Sequence, residues 1–177
     1  MKDILTAWKW NGSVSEPIPY GEGHINQTYA ITVTSVQGAK RYILQKINTN
    51  TFKDPTGLME NICGVTDFLR EKAKQCGADP ARATLHVVPT KEKKPYYQAA
   101  DGSCWRVYEF VENTVCLQQV QSAEDFYQSA LAFGNFQRLL ADYPADTLHE
   151  TIPDFHNTVK RFANFKKAVE EDACGRA

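Results

Sequence analysis

The stretch from Pro19 to Tyr29, PYGEGHINQTY, carries the residue types best suited to hold an anion. Gly21 and Gly23 permit backbone conformations and a close approach that a Cβ would block, and consecutive amides in such a turn converge on phosphate oxygens. His24 and Asn26 add side-chain donors. Two glycines before a strand also describe an ordinary tight turn, so the pattern takes its weight from the elements downstream of it. On the next strand but one, RYILQKI, Lys46 is the preferred partner for a phosphate, because only a cation offsets the charge, and Gln45 is the alternative. Parity does not choose between them, since both faces of that strand carry apolar side chains. A lysine near a strand end with its ammonium in water fits equally well. Glu60 could offer a carboxylate to Lys46, yet it falls about 200° around a helical wheel from Leu58, opposite the apolar stripe, and exposure is expected. Asp154 and His156 flank Phe155 in the loop TIPDFHNT. They either contact a substrate or fix the loop and cap the next helix, and the second reading is favoured.

The elements that must position these residues emerge from periodicity. Thr28 to Thr34 (TYAITVT) and Arg41 to Ile47 alternate as strands around Gln37-Gly38-Ala39, giving an antiparallel hairpin. Asp54-Pro55 opens a helix that Gly77 closes, with Leu58, Ile62, Val65, Leu69, Ala73 and Cys76 at helical spacing. Leu85–Pro89, Tyr96–Ala99 and Cys104–Val111 read as further strands, the last two joined by a turn at Asp101-Gly102. From Ser122 the period becomes helical, with one helix to about Asp142 and another from Asn157 or Thr158 toward Asp172. The fold class expected is α+β: an antiparallel sheet of about five strands with one long helix over residues 1–112, then helices over residues 113–177.

With Lys+Arg 20 against Asp+Glu 21, no whole-chain field draws the protein to nucleic acid or an anionic membrane. No apolar run has the length of about 18 residues that a membrane span requires. The cysteines are odd in number at 5 and never spaced CxxC, which disfavours both a disulfide framework and a zinc ribbon. Free thiols and a cytoplasmic location are expected.

Glycine-bearing loop, strand lysine and long helix come in the order found in kinases. More specifically, the runs GEGHINQTY, RYILQKINTNTFKDPTGLMENICGVTDFL, WRVYEFVENT, AFGNFQRLL and ETIPDFHNTVKRF closely resemble bacterial N-acetylhexosamine 1-kinases, of the aminoglycoside phosphotransferase and choline kinase superfamily. The likeness spans roughly Ser15 to the end. It implies a protein-kinase-like fold and transfer of the ATP γ-phosphate, with Mg2+, to the anomeric hydroxyl of an N-acetylhexosamine. It also implies that Gly21, Gly23, His24 and Asn26 belong to the phosphate-binding loop, that Lys46 or Gln45 holds the third-strand position, and that Glu109, Phe110 and Val111 form a hinge binding the adenine edge through their backbone.

The superfamily's HxDxxxxN catalytic loop has no counterpart, since His24, His86, His149 and His156 are followed by Ile-Asn, Val-Val, Glu-Thr and Asn-Thr. Catalytic and metal-binding residues are therefore expected outside the chain, which reads as the amino-terminal part of a kinase about twice as long and inactive alone. An apolar face covered by the remaining lobe or a self-contact is expected with it. Alternatives are a superfamily kinase acting on choline, homoserine or an aminoglycoside, and a non-catalytic nucleotide-binding or interaction module.

Overall fold

The computed structural model describes residues 1–176. The β-branched alternation at the loop exit becomes β3 (Gln27–Ser35), which turns tightly into β4 (Gly38–Ile47). Two short strands precede the pair, β1 (Ser13–Val14) and β2 (Ile18–Pro19), after a turn of helix α1 (Lys2–Leu5). Beyond lie β5 (Tyr97–Gln98) and β6 (Cys104–Glu109). The sheet runs β1-β3-β4-β6-β5, with β2 also on β3, and every pairing is antiparallel. The fold is thus α+β, with two short strands before β3 that periodicity could not reveal.

Leu85–Pro89 does not form the expected strand. Its contact with the sheet is one bridge, Val87 to Tyr108, flanked by bonds from Val88 N to Val107 O (2.8 Å) and from Glu109 N to His86 O (3.0 Å). The Val88 carbonyl accepts from Trp8 Nε1 at 2.9 Å, which removes it from any ladder. β5 occupies the rest of that edge of β6.

Parity sorts the sheet into two faces. Ile31, Leu44, Trp105 and Val107 point to the outer face, where Leu5 and Trp8 cover them. Ile47 and Cys104 point to the inner face, against Leu58 and Met59 of α2 (Pro55–Gln75). At 21 residues, α2 is the long helix expected. Asp54 caps it, accepting from Gly57 N at 3.0 Å, and Pro55 sits at its first turn, where the missing amide costs nothing. At its other end Gly77 adopts φ 71°, with Ala78 N bonded to Ala73 O and Gly77 N to Lys74 O, the paired closure that favours glycine.

After a short α3 (Pro80–Ala83) and β5–β6, the chain forms α4 (Ala123–Leu139) and α5 (Thr158–Glu171). Ser122 caps α4 through Asp125 N, and Asn157 caps α5 through Lys160 N. The segment after α4 packs on the far side of α2. Asn61 exchanges two hydrogen bonds with the backbone of His149, Lys72 reaches Leu139 O at 2.7 Å and pairs with Asp142, and Phe68 meets Tyr143 edge-on. No helix among the described residues is long and apolar enough to cross a membrane.

Candidate functional site

The loop between β2 and β3 joins two antiparallel neighbours in the sheet. Gly21 has φ 76°, a conformation that L side chains resist, whereas Gly23 has no such strain and open space where a Cβ would be. Tyr20 N donates to Thr28 O, but no amide from Gly21 to Asn26 donates a hydrogen bond among the described residues. Gly21 to Ile25 are exposed residues. Asn26 is directed differently from the sequence expectation: its Oδ1 accepts from Asn48 N at 2.9 Å and ties the loop to the exit of β4. The His24 side chain is exposed in the loop.

The structure settles the parity of β4. Gln45 lies on the inner face, where its Nε2 donates to Thr28 Oγ1 at 2.9 Å and its Oε1 accepts from Arg106 Nη2 at 2.6 Å and Nε at 3.0 Å. Lys46, directly opposite Trp105, lies on the outer face with its Nζ 5.8 Å from the indole centroid. Of the two candidates for the phosphate partner, Gln45 therefore shares a face with α2 and with the Arg106 cation of β6, whereas Lys46 shares the opposite face with Trp105. Burial lowers the Arg106 pKa from its ordinary value, while Tyr108 and Cys63 act in the opposite direction. The guanidinium remains charged at neutral pH.

Glu60 does not approach the strand. It pairs with His149 Nε2 at 2.6 Å on the exposed side of α2, as its helical phase requires. The α2 residue that meets the inner-face polar group is Met59, whose Sδ is 3.7 Å from Arg106 Nη1. Cys63, one turn on, is a thiol whose pKa burial pushes up, with Asp67 adding to the shift.

Among Glu109, Phe110 and Val111, Glu109 N is bonded to His86 O and Phe110 N to Arg41 O at 3.2 Å. Val111 N donates to nothing among the described residues. It borders a hollow of about 160 Å³ shared with Arg82, Thr84 and His86. The Phe110 ring meets Tyr20 edge-on at 5.3 Å and lies 3.8 Å from the Arg41 guanidinium carbon, which joins the chain after β6 to the start of the glycine loop. The Glu109 carboxylate takes Lys40 at 2.6 Å and His86 Nδ1 at 3.1 Å.

Asp154 and His156 are tied into their own loop. Asp154, at φ 60°, pairs with Lys160 and receives Asn157 Nδ2 at 3.4 Å, and His156 packs edge-on against Phe155 at 4.9 Å. Among the described residues no group of three or more His, Cys, Asp or Glu side chains converges as a metal site. The groups that sequence reasoning missed are Tyr20, Arg106 and Met59. The internal signal for Arg106 was its even position in CWRVYEF, one parity with Cys104, but that becomes meaningful only once β6 is paired with β4. No family model matches the chain.

Proposed function

We propose that this chain is the nucleotide-binding portion of an ATP-dependent small-molecule phosphotransferase with a protein-kinase-like fold. The observation that carries this reading is the loop from Gly21 to Asn26: a run of backbone amides, unbonded among the described residues, between two antiparallel strands, with a positive-φ glycine at its start. Successive free amides in a glycine-bearing turn are the groups from which an anion-binding concavity is built. Two further features support it. The loop begins at Tyr20, in contact with Phe110, and of the amides of Glu109, Phe110 and Val111 the one left without an acceptor among the described residues is that of Val111, the amide this reading assigns to a base edge.

The acceptor, the anomeric hydroxyl of an N-acetylhexosamine, is proposed from the sequence resemblance alone. The catalytic aspartate and the carboxylates that hold Mg2+ belong, in this reading, to sequence outside the chain. Phosphoryl transfer depends on positioning and charge neutralisation by those groups, so the 177-residue chain binds nucleotide without turning it over.

Calorimetric titration with ATP tests the proposal. Binding by the parent chain and a loss of about tenfold or more in Gly23→Val are expected, because a β-branched side chain obstructs the backbone's approach to phosphate. No heat of binding with the parent chain, or equal affinity in a well-folded Gly23→Val protein, would refute it.

A further inference from the structure

Arg106 is a partly buried cation whose hydrogen-bond partners are all neutral. Its Nε and Nη2 both donate to the single oxygen Oε1 of Gln45, a neutral amide, and Nη1 meets the Met59 thioether. The groups whose fields favour its charge are Tyr108 and Cys63, both neutral at pH 7. Several cations in this half of the protein pair with carboxylates, Arg41 with Glu112, Lys40 with Glu109 and Lys72 with Asp142, and Arg106 does not. A guanidinium held at a partly buried position without a counter-anion bears a desolvation cost that a neutral amide oxygen offsets poorly. Five N–H donors in a rigid fork also exceed what one amide oxygen and one sulfur accept.

The position is as informative as the imbalance. Thr28, Gln45 and Arg106 form one hydrogen-bonded row across β3, β4 and β6 on the inner face, and Thr28 is the second residue of the strand that the glycine loop feeds. Gln45 fixes the guanidinium plane through two donors and Met59 meets a third, so the remaining N–H groups of the fork have no acceptor among the described residues. We propose that Arg106, oriented by Gln45, is the cation that receives the polyphosphate of the bound nucleotide, in the role that sequence alone gave to Lys46. The inference rests on the nucleotide-binding reading of the loop and assigns its charged contact. Gln45 acts as a positioning residue, holding Arg106 without supplying charge. Lys46, on the opposite face over Trp105, takes no part.

The test is calorimetric titration of the chain with ATP, adenosine and inorganic tripolyphosphate, on four proteins: parent, Arg106→Gln, Gln45→Glu and Lys46→Met. The Gln45→Glu change alters almost no volume but places a carboxylate against Arg106, so it neutralises the cation in place and does not depend on deleting a buried side chain. Circular dichroism melts establish that each variant is folded. Charge-assisted hydrogen bonds of this kind correspond to about 10- to 100-fold in affinity. That loss is expected for ATP and tripolyphosphate in both Arg106→Gln and Gln45→Glu, with adenosine affinity unchanged and Lys46→Met like the parent. Retention of ATP and tripolyphosphate affinity in folded Arg106→Gln and Gln45→Glu, or their loss in Lys46→Met alone, overturns the assignment. Tripolyphosphate binding that depends on Arg106 in a chain indifferent to adenosine sustains the anion site and removes the nucleotide reading. A parent chain that binds none of the three ligands removes both.

Discussion

At the residue scale, the two loop glycines are not equivalent. A side chain at Gly21 must adopt φ 76°, so Gly21→Ala is expected to lose about 1 kcal/mol of stability. Gly23 has ordinary backbone and empty surroundings, so Gly23→Ala should leave the urea midpoint within about 0.5 kcal/mol of the parent. Equal destabilisation in the two variants would show that the loop's backbone differs from the one described. The Gln45–Arg106 pair gives a second contrast. Arg106→Leu alone strands Gln45 Oε1 without its donors and should cost about 1–3 kcal/mol. The double change Gln45→Leu with Arg106→Leu leaves only the Thr28 hydroxyl without its partner and should cost less than Arg106→Leu alone, as read by urea denaturation. A double variant less stable than Arg106→Leu would mean that the pair contributes net stability rather than serving a ligand.

Glu109 supplies a pH dependence at the same scale. Burial raises its pKa, but hydrogen bonds and charge from Lys40 and then His86 outweigh that and hold the carboxyl below the ordinary glutamate value. A depressed folded pKa means that the native state favours the charged form. The resulting stability is fully present above the unfolded value of 4.5 and is lost as pH falls through the lower folded value. Glu109→Gln should therefore flatten the acid limb of the stability profile below about pH 4.5, with little change in its slope near pH 7. An unchanged acid limb in the variant would place the responsible carboxylate elsewhere.

At the element scale, α2 joins the inner face of the sheet to the segment that comes after α4. Its sheet side carries Leu58 and Met59, and its far side carries the small residues Gly57 and Gly64, which admit His149 and Tyr143. A Cβ on Gly57 would stand 2.5 Å from the Asp54 carboxylate that caps the helix and 2.9 Å from the His149 ring. Alanine is the better helix former by about 1 kcal/mol, so propensity predicts that Gly57→Ala stabilises. Packing predicts the reverse, because the substitution strains the cap and pushes His149 away from Asn61. The expected result is net destabilisation of about 1–2 kcal/mol with faster hydrogen exchange at the His149 amide, whose partner is Asn61 Oδ1. Stabilisation by Gly57→Ala would mean that the segment after α4 does not dock on α2 as described.

At the scale of the whole molecule, burial is uneven. The sheet and α2 hold the described core, whereas α4 and α5 bury no side chain fully. Phe126, Phe133, Phe162 and Phe165 are each more than three-fifths exposed, at 67%, 69%, 61% and 62%. A row of aromatic side chains in water contributes little to folding, so Phe162→Ser should move the urea midpoint by no more than about 0.5 kcal/mol, against the roughly 3–5 kcal/mol lost when a buried phenylalanine is truncated. The same exposure should give binding of a hydrophobic dye by the folded chain, reduced when Phe133 and Phe162 are replaced by serine. A large loss of stability in Phe162→Ser would show α5 packed in solution.

Local sequence determined what depends on neighbours in the chain. Asp54-Pro55 and Gly77 bounded α2 because a cap, a prefixed φ and a left-handed terminus act within a turn or two of the residues that supply them. Ser122 and Asn157 set the starts of α4 and α5 for the same reason, and alternating β-branched residues marked the β3–β4 hairpin. The turn at Gly21 was legible too, since glycine is the residue type that takes a positive φ without strain. What only tertiary structure decided were the long-range facts. Whether Lys46 or Gln45 faces α2 depended on which face the N-terminal segment covers, and Trp8 and Leu5 reach the outer face from far along the chain. The partial pairing of Leu85–Pro89 turned on Trp8 capturing the Val88 carbonyl. Arg106 acquired meaning only when β6 paired with β4 in antiparallel register and brought it to Gln45, 61 residues away in sequence. Strand parity has a period of two on either face, so a sequence with apolar residues on both sides carries no sign to tell inside from outside, and packing supplies it.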